Sequence, residues 1–164
     1  PLVHARLGIA QENSGKLVAK LREIAKDIAE KEKKDFIVID GPPGVGCPVM
    51  ASMTGVDLVI AVTEPTLSGL HDLERILELA NHFKIPVKVI INKFDLNPEM
   101  SSKIELNLKQ KNIDVIGKIP FSEEIINSVK NQIPFLEYAK MFNKNRDIAE
   151  LIEKILNNAL YSTF

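Results

Sequence analysis

Phe36-Ile37-Val38-Ile39-Asp40-Gly41-Pro42-Pro43-Gly44-Val45-Gly46 is the stretch on which the fold of this chain turns. Four apolar residues in a row fit a strand buried on both faces, as in a parallel sheet. The run stops at Asp40, and the Gly/Pro loop behind it suits neither a helix nor a central strand. A carboxylate that closes a buried strand can hold Mg²⁺, usually through water. Gly41 and Gly44 let backbone N–H groups approach a phosphate with no Cβ in the way. Pro42 and Pro43 complete that candidate phosphate loop.

Outward from this stretch, strand and helix signals alternate. Leu58–Thr63 and Val87–Asn92 read as further buried strands, and Ile113–Ile119 as a strand ending at Pro120. Between them, Ser68 to His82 carries Leu70, Leu73, Ile76, Leu77 and Ala80 at helical spacing. Asn97 can cap and Pro98 can open a second helix. Ser122, Glu123 and Glu124 make a favourable start for a third, by capping and by dipole. Ile148, Leu151, Ile152, Ile155, Leu156 and Ala159 form the core stripe of a last helix. Toward the start, Leu2–Ile9 looks like a strand, and Ser14 can cap a helix running to about Lys33. The alternation predicts an α/β fold: one domain over 1–164, with a mostly parallel sheet and helices on both faces.

Ligands of such sheets bind beyond the carboxyl ends of the strands. Standing there are Asp40 with its loop, Thr63-Glu64-Pro65-Thr66, Asn92-Lys93-Phe94-Asp95 and Pro120-Phe121-Ser122. Asn92 to Asp95 fits N-K-x-D, a base-reading pattern. An Asn amide offers a donor and an acceptor, and an Asp accepts a pair of hydrogen bonds. The Asp favours guanine on physical grounds, so adenine and guanine both stay open. Phe121 is placed either to stack on a base or to make a core or lid contact. Two other classes also stay open. Asp40, Thr63 and Lys93 follow successive strands, as in a receiver-type phospho-acceptor switch. A non-catalytic interaction module that kept the fold is the other.

Composition narrows the field. The chain has 164 residues, enough for a sizeable core. A formal net charge of -1 leaves no basic footprint for nucleic acid and no polybasic membrane anchor. No apolar run reaches membrane-span length. The single Cys47 excludes an internal disulfide and an iron–sulfur site built from this chain alone. Cys47 is expected to pack as a small apolar residue, and a cytoplasmic location is expected. His4, His71 and His82 are scattered and read as ordinary surface or boundary residues. Ala10-Gln11-Glu12-Asn13-Ser14-Gly15-Lys16-Leu17 imitates G-x-x-x-x-G-K-[ST] but fails at both ends. Lys16 therefore reads as a helix-start lysine. The chain opens at Pro1 inside an apparent strand, so it is expected to be the later portion of a longer protein.

Residues 35–49, Asp-Phe-Ile-Val-Ile-Asp-Gly-Pro-Pro-Gly-Val-Gly-Cys-Pro-Val, resemble the Walker B and switch II region of the MinD/Mrp family of deviant P-loop ATPases. Residues 63–75, Thr-Glu-Pro-Thr-Leu-Ser-Gly-Leu-His-Asp-Leu-Glu-Arg, and 91–95, Ile-Asn-Lys-Phe-Asp, continue the match. Glu-Asn-Ser-Gly-Lys-Leu-Val at 12–18 is similar to the branch with an inserted ferredoxin domain. The resemblance implies ATP and Mg²⁺ as cofactors, a homodimer closed over nucleotide, and an iron–sulfur or redox protein as partner. It would make Asp40 the Walker B carboxylate and Gly44 the switch II glycine facing the γ-phosphate. Asn92 would contact adenine, and Pro120 with Phe121 would border the base. The family's Walker A loop, with its strand, and the ferredoxin cysteines are not among these residues. The chain alone is therefore expected to bind ATP poorly and to hydrolyse none.

Overall fold

Val87–Asn92 forms the middle strand of a three-stranded parallel sheet in the computed structural model of the chain, which describes residues 1–5 and 14–161. The strands are β1 (Val59–Thr63), β2 (Val87–Asn92) and β3 (Asp114–Ile119), in the order β1-β2-β3. Val89, Ile90 and Ile91 are all buried. Successive side chains point to opposite faces of a strand, so β2 is covered on both faces. The helices are α1 (Ser14–Glu32), α2 (Cys47–Met53), α3 (Leu67–His82), α4 (Pro98–Gln110), α5 (Glu123–Lys130), α6 (Phe135–Phe142) and α7 (Arg146–Tyr161). This is the expected α/β architecture.

By internal contacts the chain falls into two compact units. The first comprises Pro1–Val59 with Arg75–Pro86, and the second Ile60–Glu74 with Val87 onward.

In the second unit, β3 shows why helices lie on both sides of the sheet. A Cβ on Gly117 would run into the Ile155 side chain of α7. Its neighbour Lys118 points the other way and meets Glu105 of α4 at 3.1 Å. Alternation along a strand makes these two opposite faces. Two of the caps are those the sequence suggested, while the start of α1 at Ser14 borders residues outside the described ones. Asn97 Oδ1 accepts the Met100 N–H at 3.0 Å, with Pro98 opening α4. Ser122 Oγ accepts the Glu124 N–H at 3.2 Å at the start of α5. Along α7, Ile148, Ile155 and Ala159 are buried, whereas Leu156 sits at the rim of the stripe and is exposed.

In the first unit, α1 packs on α2, and Arg22 Nη1 donates to the Ala51 carbonyl at 2.7 Å. Helix α2 begins straight after the Gly/Pro loop. Gly46 is its extended N-cap, and Pro48 occupies the first turn, where no amide donor is needed. Lys16 lies exposed in the first turn of α1, as a helix-start lysine should.

The structure corrects three expectations. Phe36–Ile39 is not a strand: it joins no sheet among the described residues, and Val38 is 80% exposed. Leu2–Ala5 is likewise outside any strand, while 6–9 lie outside the described residues. Cys47 does not pack inward but is exposed at the start of α2. Helices α2 and α6 have no counterpart in the sequence reading.

Candidate nucleotide site

Strands β2 and β3 pair in parallel, past a register shift between Val89 and Ile90, to a common end where Asn92 stands level with Ile119. The chain leaves β2 through Lys93, whose φ of 53° turns it into the left-handed region. That turn feeds a short 3₁₀ helix, Phe94–Leu96, closed by the Leu96 N–H on the Lys93 carbonyl at 3.1 Å. Ser101 Oγ, from α4, donates to the Phe94 carbonyl at 2.7 Å and fixes the turn from behind. The Lys118 ammonium lies 5.4 Å from the centre of the Phe94 ring, a cation–π contact.

The four residues of N-K-x-D therefore take separate roles. The Asn92 side chain is half-buried and makes no hydrogen bond among the described residues. Its amide is available to a ligand. Lys93 Nζ pairs with the Glu64 carboxylate at 2.7 Å. Asp95 Oδ1 accepts the backbone N–H of Phe121 at 2.7 Å, so it ties the end of β2 to the loop after β3. Phe121 is 38% exposed, and the next residue, Ser122, is buried.

Ser122 anchors that loop from its other side. Its Oγ accepts from the Asn145 amide at 2.8 Å as well as from Glu124 N–H. Asn145 belongs to the link between α6 and α7. Lys144, beside it, bonds Glu124 at 2.8 Å. The Lys144 ammonium holds the Glu124 carboxyl below its usual range, with smaller contributions from the Tyr138 and Asn127 side chains, while desolvation opposes them. Glu124 in turn raises Lys144. Burial, helped by the Glu124 charge, raises the Tyr138 hydroxyl. Nothing in the linear sequence marks Asn145 or Lys144 as partners of a loop twenty residues earlier. Their link is purely spatial.

After β1, Thr63 turns inward and donates to the Gly69 carbonyl at 3.0 Å. A Cβ at Gly69 would strike the Glu64 carbonyl, so the Thr63–Gly69 turn requires glycine there. Thr63 is thus engaged in its own turn, which removes support from a receiver-type switch that needs a free hydroxyl at this position.

In the first unit, Asp40, Gly41, Pro42, Pro43 and Gly44 are all exposed. Gly44 has φ +88°, and a Cβ there would meet nothing within 4 Å. Its backbone is strained for an L-residue but open on all sides. Gly41 instead lies close to α2, where its Cβ would come within 3.3 Å of Ser52 Oγ. Prolines carry no N–H. The donors of this loop are therefore those of Gly41, Gly44, Val45 and Gly46. Among the described residues, no cluster of His, Cys, Asp and Glu could hold a metal by itself. Nor is any helix long and apolar enough to cross a membrane.

Comparison with known proteins bears on the family and the fold. An uncharacterized protein of Methanocaldococcus jannaschii is 31% identical over 155 residues, 94% of this chain and 50% of the relative. An iron-sulfur cluster carrier protein of Pyrococcus horikoshii is 27% identical, over 87% of this chain and 52% of that protein. In fold, the chain matches the septum site-determining protein MinD of Pyrococcus horikoshii complexed with Mg-ADP. The TM-score is 0.67, at 22% identity, over 89% of this chain and 56% of that one. The chain spans about half the length of the curated relatives it matches. The sequence profile of the ParA family matches residues 14–157, nearly the whole of the described chain, and the chain belongs to that family of NUBPL iron-transfer P-loop NTPases.

Proposed function

We propose that this chain is the part of a MinD/Mrp-like ATPase that follows its Walker A loop, and that it binds ATP with Mg²⁺ in a longer protein. The observation that carries the reading is the common end of β2 and β3. There an unpaired Asn92 amide and the exposed ring of Phe121 stand on a loop fixed by Asp95. A purine needs a hydrogen-bonding amide and a flat apolar face, and both are present where parallel sheets bind ligands.

The remaining roles fit the residues available. Asp40 would hold Mg²⁺, which needs only one or two protein carboxylates beside phosphate oxygens and water. The ion supplies neutralisation of charge on the β- and γ-phosphates. Gly44, free of crowding, offers its N–H toward the γ-phosphate, and Gly41 offers a second donor. Pro42 and Pro43 stiffen the loop without donating. Asn92 contacts adenine, and Pro120 with Phe121 borders the base. Lys93 supports the site through Glu64 rather than by touching nucleotide.

The Mg-ADP of the Pyrococcus MinD and the iron–sulfur cargo of the Pyrococcus carrier support this reading. From them and from the motif at 12–18 we extend it to a homodimer, an iron–sulfur or redox partner, a cytoplasmic setting and the ferredoxin-insert branch. A Walker A strand and loop preceding this chain complete the site.

The test is ATP turnover by the full-length protein, by its Asp40→Asn variant and by residues 1–164 alone. Turnover by the full-length protein, lost in the variant and absent from the fragment, supports the reading. Turnover by the fragment above a contaminant control would refute the need for Walker A. Retention of full turnover by Asp40→Asn would remove Asp40 from the site.

A further inference from the structure

We infer that Asp95 is a positioning residue whose carboxylate holds Phe121 in place for the base, and that this engagement turns selection away from guanine. The inference rests on the nucleotide reading above but concerns a separate question, how one purine is chosen over the other.

The Asp95–Phe121 bond joins residues 26 apart in sequence, at 2.7 Å, a length typical of a charge-assisted bond. Both ends are held. Asp95 stands in the 3₁₀ turn fixed by Ser101 and by the left-handed Lys93. Phe121 is followed at once by Ser122, which is buried and bonded to Asn145. The Phe121 backbone is thus pinned on both sides while its ring stays exposed. A fixed aromatic ring at a strand mouth can carry one face of a base, and such stacking does not discriminate between purines.

Discrimination must come from the base edge. A carboxylate reads guanine by accepting two parallel bonds, so both oxygens must aim at the same edge. In this chain Oδ1 aims at Phe121 N–H instead. The pattern N-K-x-D is present in sequence, but one of the two oxygens of its Asp is already engaged by the protein, which weakens its grip on a guanine edge. Adenine offers one donor and one acceptor on its Watson–Crick edge. A single amide satisfies both, and Asn92 has that amide unpaired among the described residues.

The experiment compares wild type, Asp95→Asn and Asp95→Ala of the full-length protein. Each is titrated with fluorescent ATP and fluorescent GTP, and the Phe121 backbone amide is followed by NMR. Asn keeps an acceptor for Phe121 N–H, and Ala does not. Wild type should prefer ATP. Asp95→Ala should lose about tenfold in ATP affinity, the order expected for one charge-assisted bond, and should weaken GTP in proportion, because the Phe121 face serves either purine. Asp95→Asn should stay within about threefold of wild type for ATP. The Phe121 amide proton should move upfield in the Ala variant and stay near its wild-type position in the Asn variant. Loss of GTP binding in both variants with ATP affinity intact would make Asp95 a guanine reader and overturn the inference. Equal weakening in the Ala and Asn variants alike would reduce Asp95 to a general structural role and overturn it as well, and a wild type that binds GTP as tightly as ATP would overturn the base selection. If wild type binds neither nucleotide, the nucleotide reading itself fails, and the base-selection claim with it. The amide shift still decides whether the clamp exists.

Discussion

The Lys93 ammonium, at the end of β2, meets the Glu64 carboxylate, just past β1, at 2.7 Å, and so joins two neighbouring strand mouths. Both side chains keep more than a third of their surface, 37% and 46%. Water and salt therefore screen the pair, and its net contribution is of order 0–1 kcal/mol. A double-mutant cycle with Lys93→Ala and Glu64→Ala, followed by urea denaturation, should give a coupling below about 1 kcal/mol. The coupling should shrink as salt is raised. A salt-independent coupling of several kcal/mol would show that the pair is shielded from solvent.

Gly117 should be irreplaceable for a different reason. An added methyl would run into the Ile155 side chain on α7, and a buried branched residue has little room to retreat. Gly117→Ala is expected to cost about 1–3 kcal/mol, the usual range for overpacking. Combining it with Ile155→Ala should recover part of that loss, although Ile155→Ala alone is also destabilising. Denaturation midpoints of the three variants provide the check. Additive losses in the double variant would mean that the two side chains do not share one space.

How far the sequence discloses this fold varies by element. Val87–Asn92 declares itself as a strand by its β-branched Val87, Val89, Ile90 and Ile91, and Asn97-Pro98 and Ser122 mark helix starts that the structure keeps. These signals are local, and local chemistry is enough to produce them. Phe36–Ile39 gives the same apolar signal as β2, yet forms no strand. A strand also needs a neighbour to bond, and the run carries no sign of whether one is present. Helices α2 and α6 span seven and eight residues, too few for a 3.6-residue period to stand out. Pro48 in the first turn of α2 and Pro134 before α6 were the usable hints. At the site, Asn92 and Asp95 were legible as polar groups after a strand. That one is free and the other bound to Phe121 depends on where β3 ends, which no spacing within N-K-x-D encodes.

The Glu124–Lys144 pair should give the second unit a pH-dependent stability. The folded Glu124 carboxyl sits below its ordinary value of 4.5, chiefly because of Lys144. A group with a depressed folded value binds fewer protons folded than unfolded between the two values. Its contribution is therefore complete above 4.5 and is lost as pH falls through the lower, folded value. Lys144 works at the other end. Its raised value keeps its contribution complete below 10.5 and loses it as pH rises further. Glu124→Gln should be less stable than wild type at neutral pH and should approach it in acid. Thermal denaturation from neutral pH to below pH ~4 tests this, the lower bound following from the carboxylate range. A stability gap that does not depend on pH would mean that packing, not charge, is lost in the variant.

Gly44 and Gly117 make opposite demands, and substitution can separate them. At Gly117 the obstacle is a neighbouring atom; at Gly44 it is φ +88°, with open space all round. Crowding is indifferent to backbone preference, whereas positive φ is tolerated best by Asn after Gly and worst by β-branched residues. Gly44→Asn should therefore cost less stability than Gly44→Val, by about 1 kcal/mol, the scale of the left-handed penalty. The larger volume of Val should not matter, because nothing stands within 4 Å. Urea denaturation of the two variants gives the comparison, and equal losses would mean that the backbone relaxes out of its positive φ. The Asn variant then has a second use. With the loop conformation kept, loss of ATP binding in the full-length protein beyond the small loss of stability would trace to the added side chain at Gly44. That result would link this glycine to the phosphates rather than to the fold.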